Sequence, residues 1–355
     1  MDINPLDESG KPVEWWFIYK VPQLSGGRGT AEAKGYEYAY YDDPSADVIK
    51  SPNTLDQDQG ALRRTIDAIF TKPAPTTGWI LYNDEKPACA AGPDDGELGH
   101  TKGLIAFDVA SKTALWMLHS WPKFVNPDST QMPTPMYGQT FICIALSLES
   151  AQALARQMVV YQQPQVYESY LPSGFQDDAL CQLAQSVQVN ATGAANTIDL
   201  QSRNGKLPFK VIAKNRNWGR DFWNALVGPV LQTDINVDTW IRGKNQIPPV
   251  ADTDGIHRVY DVKYITLKPL GLPWAWPETH DHAKWAVSHT DNWVCVGDIN
   301  RMISQEKRGG CTIAFQDQAL WTLLSKTDLL DVPSGMAKDA AQALIRKTHV
   351  APTVA

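Results

Sequence analysis

The chain has few cysteines and no long apolar stretch. Its 355 residues include five cysteines, an odd and sparse set that argues against a disulfide-stapled scaffold, so burial of apolar side chains must stabilise the fold. No apolar run approaches the roughly 20 residues of a membrane-spanning helix, and the chain begins Met1-Asp2-Ile3-Asn4 without an apolar leader. These absences predict a soluble protein without membrane contact, either cytoplasmic or secreted by a leaderless route.

Excess positive charge is also lacking. The formal net charge is -7 at pH 7, and such a charge repels a polyanion at long range. At acid pH the carboxylates begin to neutralise and the seven histidines gain charge, which softens or reverses the repulsion. Basic clusters could line a groove, although ordinary solvated surface explains each of them equally well. The clusters are Arg63-Arg64, Lys214 with Arg216 and Arg220, and Lys307-Arg308.

The chain is long enough for two core-bearing halves, and 43% apolar residues with 13 tryptophans can fill them. Hydrophobic spacing predicts a mixed α/β architecture. Strands are predicted at residues 14–20 and 35–41, the second with Tyr36, Tyr38 and Tyr40 on one face, and a hairpin at 26–29 would join them. Helices are predicted at 61–70, 147–161, 221–226 and 334–347, with a linker between the halves at 162–176.

Two His-x-Lys units, His100-Thr101-Lys102 and His282-Ala283-Lys284, are the most informative pattern. Residues i and i+2 of a strand share a face, so each imidazole would stand beside its own ammonium. A lysine supplies positive charge to phosphate oxygens, while a histidine can attack phosphorus or protonate a leaving oxygen. Each unit is followed by a strand, a turn, a second strand and a polar cluster. Two such halves could therefore face each other around one phosphate-handling site.

The second half resembles the phospholipase D pattern, in which a His-x-Lys strand leads to a phosphate-binding Gly-Ser-x-Asn turn. Here Gly297-Asp298-Ile299-Asn300 keeps the glycine and the asparagine, and aspartate replaces serine. In the first half His119 stands where that glycine would be. The resemblance implies a phospholipase D-like fold with two pseudo-symmetric halves, each a central mixed β-sheet flanked by helices. With the predicted linker, the halves are residues 1–165 and 166–355, together one catalytic unit.

Read end to end, the chain resembles the deoxyribonuclease II family of acid endonucleases. The similar segments keep the family order and cover nearly everything except the last stretch. They are residues 10–22 (GKPVEWWFIYKVP), 78–84 (GWILYND), 99–103 (GHTKG), 119–120 (HS), 122–124 (PKF), 137–143 (YGQTFIC), 281–285 (DHAKW), 297–301 (GDINR) and 308–310 (RGG). The family's N-terminal cysteine is absent, which leaves Cys143 without its usual partner and suggests a bacterial-type member. A bridge between Cys295 and Cys311 is left open.

This resemblance implies a metal-independent endodeoxyribonuclease without a cofactor. His100 is assigned as the nucleophile that forms a phosphohistidine, and His282 as the acid and base, with the reverse assignment left open by the symmetry. Lys102 and Lys284 would stabilise the transition state in place of a metal. Cleavage would leave a 3′-phosphate and a 5′-hydroxyl, with a bell-shaped pH profile on the acid side. DNA is the expected partner, and a second subunit could complete a clamp around a duplex.

Supporting roles are assigned to several further residues. His119 could bind phosphate or orient His100, or be a structural histidine. Asn300 is a candidate phosphate donor, and Asp298 could orient an imidazole or cap its turn. Contacts with DNA are predicted for four basic residues. These are Lys20, Lys123, Arg301 and Arg308.

Three other functions are alternatives to the nuclease interpretation. His280, His282, His289 and Asp291 could form a metal site, but Lys284 on the same strand face would repel a cation. A phospholipase D-like phosphodiesterase acting on lipids or small phosphodiesters would keep the same catalytic pair. A catalytically silent nucleic-acid-binding module is disfavoured because both His-x-Lys units are intact.

Overall fold

The computed structural model describes residues 2–27, 29–87, 90, 96–127, 136–187, 189, 191–241, 246–247, 257–326 and 328–330. Ten strands lie in the first part of the chain. They are β1 (Trp15–Lys20), β2 (Leu24–Gly27), β3 (Thr30–Ala33), β4 (Tyr38–Asp42), β5 (Ile49–Lys50), β6 (Thr77–Asn83), β7 (Lys102–Asp108), β8 (Thr113–His119), β9 (Gln139–Ser147) and β10 (Val166–Tyr170). Eight of them form one sheet in the order β10-β6-β7-β8-β9-β1-β4-β5, and β2 pairs with β3.

The second part of the chain builds another sheet. Its strands are β11 (Ala195–Gln201), β12 (Pro208–Lys214), β13 (Ile235–Asp238), β14 (Val259–Thr266), β15 (Ala275–Pro277), β16 (Trp285–Ser288), β17 (Trp293–Gly297), β18 (Gly310–Gln316) and β19 (Asp328–Leu330). The order is β11-β12-β18-β17-β16-β13-β14-β15, and β19 also pairs with β14. The β13–β14 pair is parallel, whereas the pairings of the first sheet are antiparallel, so only the second sheet is mixed.

Five α-helices accompany the sheets in the described ranges. They are α1 (Ala61–Phe70), α2 (Leu148–Gln157), α3 (Asp178–Ala184), α4 (Gly228–Leu231) and α5 (Gln318–Lys326). The α1 bounds agree with the predicted helix. A π-helical turn, Met158–Gln162, extends α2, and another, Trp223–Val227, takes the place of the helix predicted at 221–226. The helix predicted at 334–347 lies outside the described residues.

The main hydrophobic core lies between the two sheets. Strand β1 shows how the strand period of two builds it: Trp15, Phe17 and Tyr19 face this shared core, while Trp16 and Ile18 face a second core that α1 covers. Trp285 and Val287 of β16, among others, enter the shared core from the second sheet. A third cluster around Trp223 covers the outer face of the second sheet. The predicted mixed α/β class with two sheet-based halves is therefore confirmed.

Two sequence predictions differ from the structure. The turn at 26–29 joins β2 to β3, whereas β1 and β4 pair directly across this small insertion. The predicted linker at 162–176 contains β10, which completes the edge of the first sheet beside β6, so this sheet extends past the predicted boundary at residue 165. The side chains of β10 are half-buried or exposed, so its sequence lacks the hydrophobic alternation that would indicate a strand. The division into halves at this residue stays a prediction.

Buried cysteines do not cross-link the described part of the chain. Cys143, Cys181, Cys295 and Cys311 are free thiols. Cys295 packs in the outer cluster of the second sheet, whereas Cys311 packs in the shared core, so they occupy opposite faces of that sheet. Within the described residues no helix has the length and apolarity that crossing a membrane requires.

Candidate active site

A cavity of about 410 Å³ brings the two His-x-Lys units together. The two histidines and the two lysines line it together with polar and aromatic side chains from both halves. The lining includes Asp84, Glu85, His100, Lys102, Ser120, Pro122, Trp240, His282, Lys284, Asn300, Met302, Ser304, Gln305 and Arg308. A larger cavity of about 740 Å³ beside α5 has no histidine, lysine or arginine among its described lining residues, so its composition does not suit phosphate chemistry.

The first imidazole is held by the second half of the chain. His100 lies in an extended segment just before β7, and its backbone N–H donates to the Gly309 carbonyl (2.9 Å). Its Nδ1–H donates to the carbonyl oxygen of Asp298. Because a carbonyl can only accept, this bond fixes the tautomer and leaves the lone pair on Nε2. Nε2 lies 3.7 Å from Oδ2 of Asp84, inside the cavity lining.

The second imidazole is held by the first half of the chain. The His282 N–H donates to the Gly138 carbonyl (2.9 Å), and the Gly138 N–H donates to the His280 carbonyl (2.8 Å). This close approach requires a glycine, because a Cβ at position 138 would collide with the carboxylate of Asp281. The segment that carries each His-x-Lys unit is therefore hydrogen-bonded to the other part of the chain.

A buried network supports the backbone beside His282. The Asp281 carboxylate accepts from the Tyr19 hydroxyl (2.9 Å), from Trp276 Nε1 (2.6 Å) and from the Ala283 N–H (2.6 Å). Burial raises the pKa of Asp281, although these three hydrogen bonds favour its charged form. The network fixes the main chain on both sides of the imidazole.

Two aromatic rings enclose His282. The Tyr137 ring stacks on the imidazole with a centroid distance of 4.0 Å and an interplanar angle of 8°, and the Trp240 ring lies 4.1 Å away at 43°. Aromatic faces attract cations, so this enclosure suits a histidine that carries a proton during a reaction. His100 has a different environment. Burial, followed by the charge of Lys102, lowers its pKa well below the usual value, so this imidazole is neutral.

The cations of the site meet at Asp84. Its carboxylate pairs with Lys102 Nζ and with Arg308 Nη1 (3.1 Å). Burial alone would raise the pKa of Asp84, but Lys102, His100 and Arg308 outweigh burial and lower it well below the usual range. Lys284 donates to the carbonyl of His282, and burial together with the charge of Lys102 lowers the pKa of Lys284 to about 7.

Three predicted supporting residues lie at or beneath the cavity. Asn300 is buried in its wall, and its Oδ1 has no hydrogen-bond partner among the described residues. Asp298 contacts His100 through its main chain, while its carboxylate accepts from the Cys311 N–H (2.8 Å) and so caps the turn. His119 is buried, packs against Phe124 with a centroid distance of 4.2 Å and tilted rings, and accepts from the Trp121 N–H (3.2 Å). That packing fits the structural alternative for His119.

The four predicted DNA contacts differ in position. Lys123 is exposed near the rim, where its N–H donates to the Glu85 carbonyl. Arg308 lines the cavity. Lys20 is buried, and its Nζ donates to the carbonyls of Val21 and Tyr137. Arg301 is also buried and pairs with two aspartates at 2.9 and 2.8 Å. Lys20 and Arg301 are therefore enclosed by protein in this structure, and their contact with DNA stays a prediction.

The basic cluster around Lys214 has a structural arrangement. Lys214 is buried, and its Nζ donates to the carbonyls of Gln305, Glu306 and Arg308. It thereby anchors the loop that carries Arg308 into the cavity. Burial lowers the pKa of Lys214 to about 7. An interior anchor replaces the surface contact suggested by the sequence.

The sequence patterns predict no site role for Asp84, Tyr137 or Trp240. Asp84 directly follows β6, whose last residue, Asn83, pairs with Lys102 across the sheet. A correct strand register would have placed this carboxylate beside the first His-x-Lys unit. No local signal marks the two aromatic residues, because they contact His282 only through the packing of distant segments.

The residues of the alternative metal site do not come together. His289 Nε2 contacts Asn236 Oδ1 (2.7 Å), and its ring stacks on Tyr260. His282 instead lies between aromatic rings in the cavity. In the part of the chain that the structure describes, no group of three or more histidine, cysteine, aspartate or glutamate residues is arranged to hold a metal ion.

Comparison with known proteins gives a consistent family. The model of the family described as Deoxyribonuclease II matches residues 4–329. A Burkholderia pseudomallei protein named "Putative deoxyribonuclease-2" is 55% identical over 349 residues, 98% of this chain and 99% of that protein. Deoxyribonuclease-2-alpha of Rattus norvegicus is 30% identical over 321 residues, 88% of this chain and 89% of that protein. Yeast tyrosyl-DNA phosphodiesterase aligns with a TM-score of 0.31 and 10% identity, over 62% of this chain and 67% of that one.

Proposed function

Since the chain belongs to the deoxyribonuclease II family, we propose that it hydrolyses the phosphodiester bonds of DNA in the cavity between its two His-x-Lys units. The observation that carries this proposal is the convergence of both units, 182 residues apart in the chain, on one cavity where the two imidazoles have different environments. One ring presents an unprotonated Nε2, and the other is enclosed by aromatic faces.

In the first step His100 acts as the nucleophile. Its Nε2 attacks phosphorus, and the bond between phosphorus and the 5′ oxygen breaks as the His282 imidazolium gives its proton to that oxygen. This step yields a 5′-hydroxyl end and a 3′-phosphoryl group bound to His100. The hydrogen bond from Nδ1 to the Asp298 carbonyl holds the ring in the nucleophilic tautomer throughout the attack.

In the second step His282, now neutral, acts as a base. It takes a proton from water, whose oxygen attacks phosphorus, and the bond between phosphorus and Nε2 breaks. The product is a 3′-phosphate, and both histidines return to their starting states. The tautomer of His100 and the aromatic enclosure of His282 support this assignment of roles over the reverse one.

Cationic side chains take the role that a metal has in other nucleases. Lys102, Lys284 and Arg308 line the cavity and can stabilise the extra negative charge of the five-coordinate transition state. Asn300 can donate to a phosphate oxygen through its amide. Because the pKa of Lys284 is about 7, its charge is complete only at acid pH, which supports an acid optimum.

Plasmid cleavage at pH 5 in excess EDTA tests this function. We expect the wild-type chain to cut and to leave 3′-phosphate ends, and His100→Ala and His282→Ala each to lose about 10³-fold or more of the rate. His257→Ala is the matched control, because this histidine lies outside the described cavity lining and should cut normally. Chelator-sensitive cutting, or cleavage of lipid vesicles in place of plasmid, would contradict the proposal. A clamp of two subunits stays a prediction, which light scattering with and without duplex would check.

A further inference from the structure

One acidic side chain occupies the centre of the cation cluster. Asp84 receives Lys102 Nζ on one carboxylate oxygen and Arg308 Nη1 on the other (3.1 Å), and His100 Nε2 lies 3.7 Å from the latter. Only 5% of the Asp84 side chain is exposed, and all four residues line the cavity. The mechanism above uses the lysine, the arginine and the histidine but gives this carboxylate no part.

The position of Asp84 is imposed by the first sheet. Strands β6 and β7 pair Asn83 with Lys102. Asp84, the residue directly after β6, must therefore lie beside the first His-x-Lys unit. Asn83 secures this end of the strand, because its N–H donates to the Gln165 carbonyl (3.0 Å) and its Nδ2 to the Trp121 carbonyl (3.1 Å). The carboxylate is therefore built into the site and cannot drift to the surface.

A carboxylate and a phosphate accept from the same cationic donors with similar geometry. On the basis of the proposed function, we propose that Asp84 is the resting counterion of the phosphate site: it holds Lys102 and Arg308 beside His100 until a scissile phosphate takes over their donors. Without such an anion, the charges of Lys102, Lys284 and Arg308 would repel one another, and the lysines would lose protons before substrate arrived. Asp84 acts through these neighbours and is a positioning residue.

The charges around His100 and Lys284 make the counterion role of Asp84 measurable. His100 faces Lys102, Lys284 and Arg308, with Asp84 as the acidic group that favours its charged form. Lys284 faces Lys102, and Asp84, Asp281 and Asp298 favour its charged form. Removing the Asp84 charge should therefore lower the pKa of both groups and move the whole pH–rate profile toward acid.

Binding of inorganic phosphate to Asp84→Asn tests the inference. At pH 5.5 phosphate carries one negative charge, like a phosphodiester, and titration calorimetry measures its affinity. Because asparagine removes the competing anion and keeps the shape, we expect affinity to rise about tenfold while kcat on DNA falls. Asp43→Asn is the matched control: Asp43 is a similarly buried carboxylate, 8% exposed, paired with Lys206 at 3.2 Å and outside the described cavity lining, so phosphate affinity should not change.

The pH–rate profile gives a second measurement, because a purely structural role of Asp84 would leave the profile unchanged. We expect both limbs of kcat/KM for Asp84→Asn to move about one unit toward acid. Unchanged or weaker phosphate binding with an unmoved profile would overturn the counterion role. Asp84→Ser, a neutral acceptor of smaller volume, is the second variant. If thermal unfolding shows that neither variant folds, Asp84 serves the fold, and the inference is wrong.

Failure of this inference is distinct from failure of the proposed function. A wild-type chain that neither cuts DNA nor binds phosphate would overturn the proposed function itself. A wild type that does both, beside an Asp84→Asn variant with unchanged affinity and profile, would overturn only the role of Asp84.

Discussion

Replacing Gly99 by alanine should displace His100, the proposed nucleophile, without altering its side chain. Gly99 precedes His100, and its N–H donates to the Gln163 carbonyl (2.8 Å). A Cβ at this position would lie 2.9 Å from the Gln163 carbonyl oxygen and closer still to that of Gln162. The added methyl group must therefore push these two segments apart.

The size of the displacement follows from ordinary contact distances. Nonbonded carbon and oxygen atoms rest well above 3 Å, so the Gly99 segment must retreat by about 1 Å from Gln162. Gln162 has little room to yield, because it is buried and Gly309 packs against the same carbonyl from another side. A 1 Å misplacement of a reacting group can cost about 10²-fold in rate. We also expect a loss of about 1–3 kcal/mol in the free energy of unfolding.

Steady-state cleavage of a DNA oligonucleotide at acid pH, together with thermal unfolding, checks this prediction. We expect kcat to fall about 10²-fold at a temperature where the variant is fully folded, with a smaller change in KM. Gly96→Ala is the control, because a Cβ at Gly96 meets nothing within 4 Å and the same loop carries both glycines. A folded Gly99→Ala chain with wild-type kcat would refute the argument that this packing places His100.

Two further predictions concern the second imidazole and the buried turn. Tyr137→Leu removes the ring stacked on His282, so kcat on DNA should fall about threefold, whereas Tyr137→Phe should keep it; equal kcat values for both variants would contradict the cation–π argument. Burial raises the pKa of Asp298 to about 8. Because the folded chain then binds a proton more tightly than the unfolded chain, the stability from the protonated form is fully present below about pH 4 and is lost as the pH rises to about 8. Asp298→Asn should therefore raise the melting temperature at pH 8 and leave it nearly unchanged at pH 4, and an equal change at both pH values would exclude this linkage.

Local sequence patterns predicted the helices and strands whose buried side chains recur with a regular helix or strand spacing. Helix α1 begins and ends where its apolar spacing indicates, and β1 begins within one residue of its predicted start. The convergence of His100 and His282 on one cavity follows the repeated His-x-Lys unit, and the family resemblance is confirmed by the family model and the relatives. Both results rest on features that short segments carry by themselves.

Contacts between distant segments account for what the sequence did not predict. The exposed edge strand β10 lacks a clear hydrophobic alternation, and its pairing with β6 depends on tertiary packing. Asp84 meets Arg308 across 224 positions of the chain. The sequence predicts DNA contacts for Lys20 and Arg301, but it does not show that both charged side chains have buried partners. These contacts depend on the strand register and on the packing of distant segments against each other.

The crossed support of the two imidazoles has a consequence for the synthesis of the protein. His100 depends on the carbonyls of Asp298 and Gly309, and His282 depends on Gly138. A ribosome that has made only the first two hundred residues has released a histidine and a lysine without the residues that orient them. Under the proposed mechanism, the growing chain therefore completes its active site only after residue 309 has emerged and folded back. The reciprocal hydrogen bonds thus couple the assembly of the site to the last part of translation.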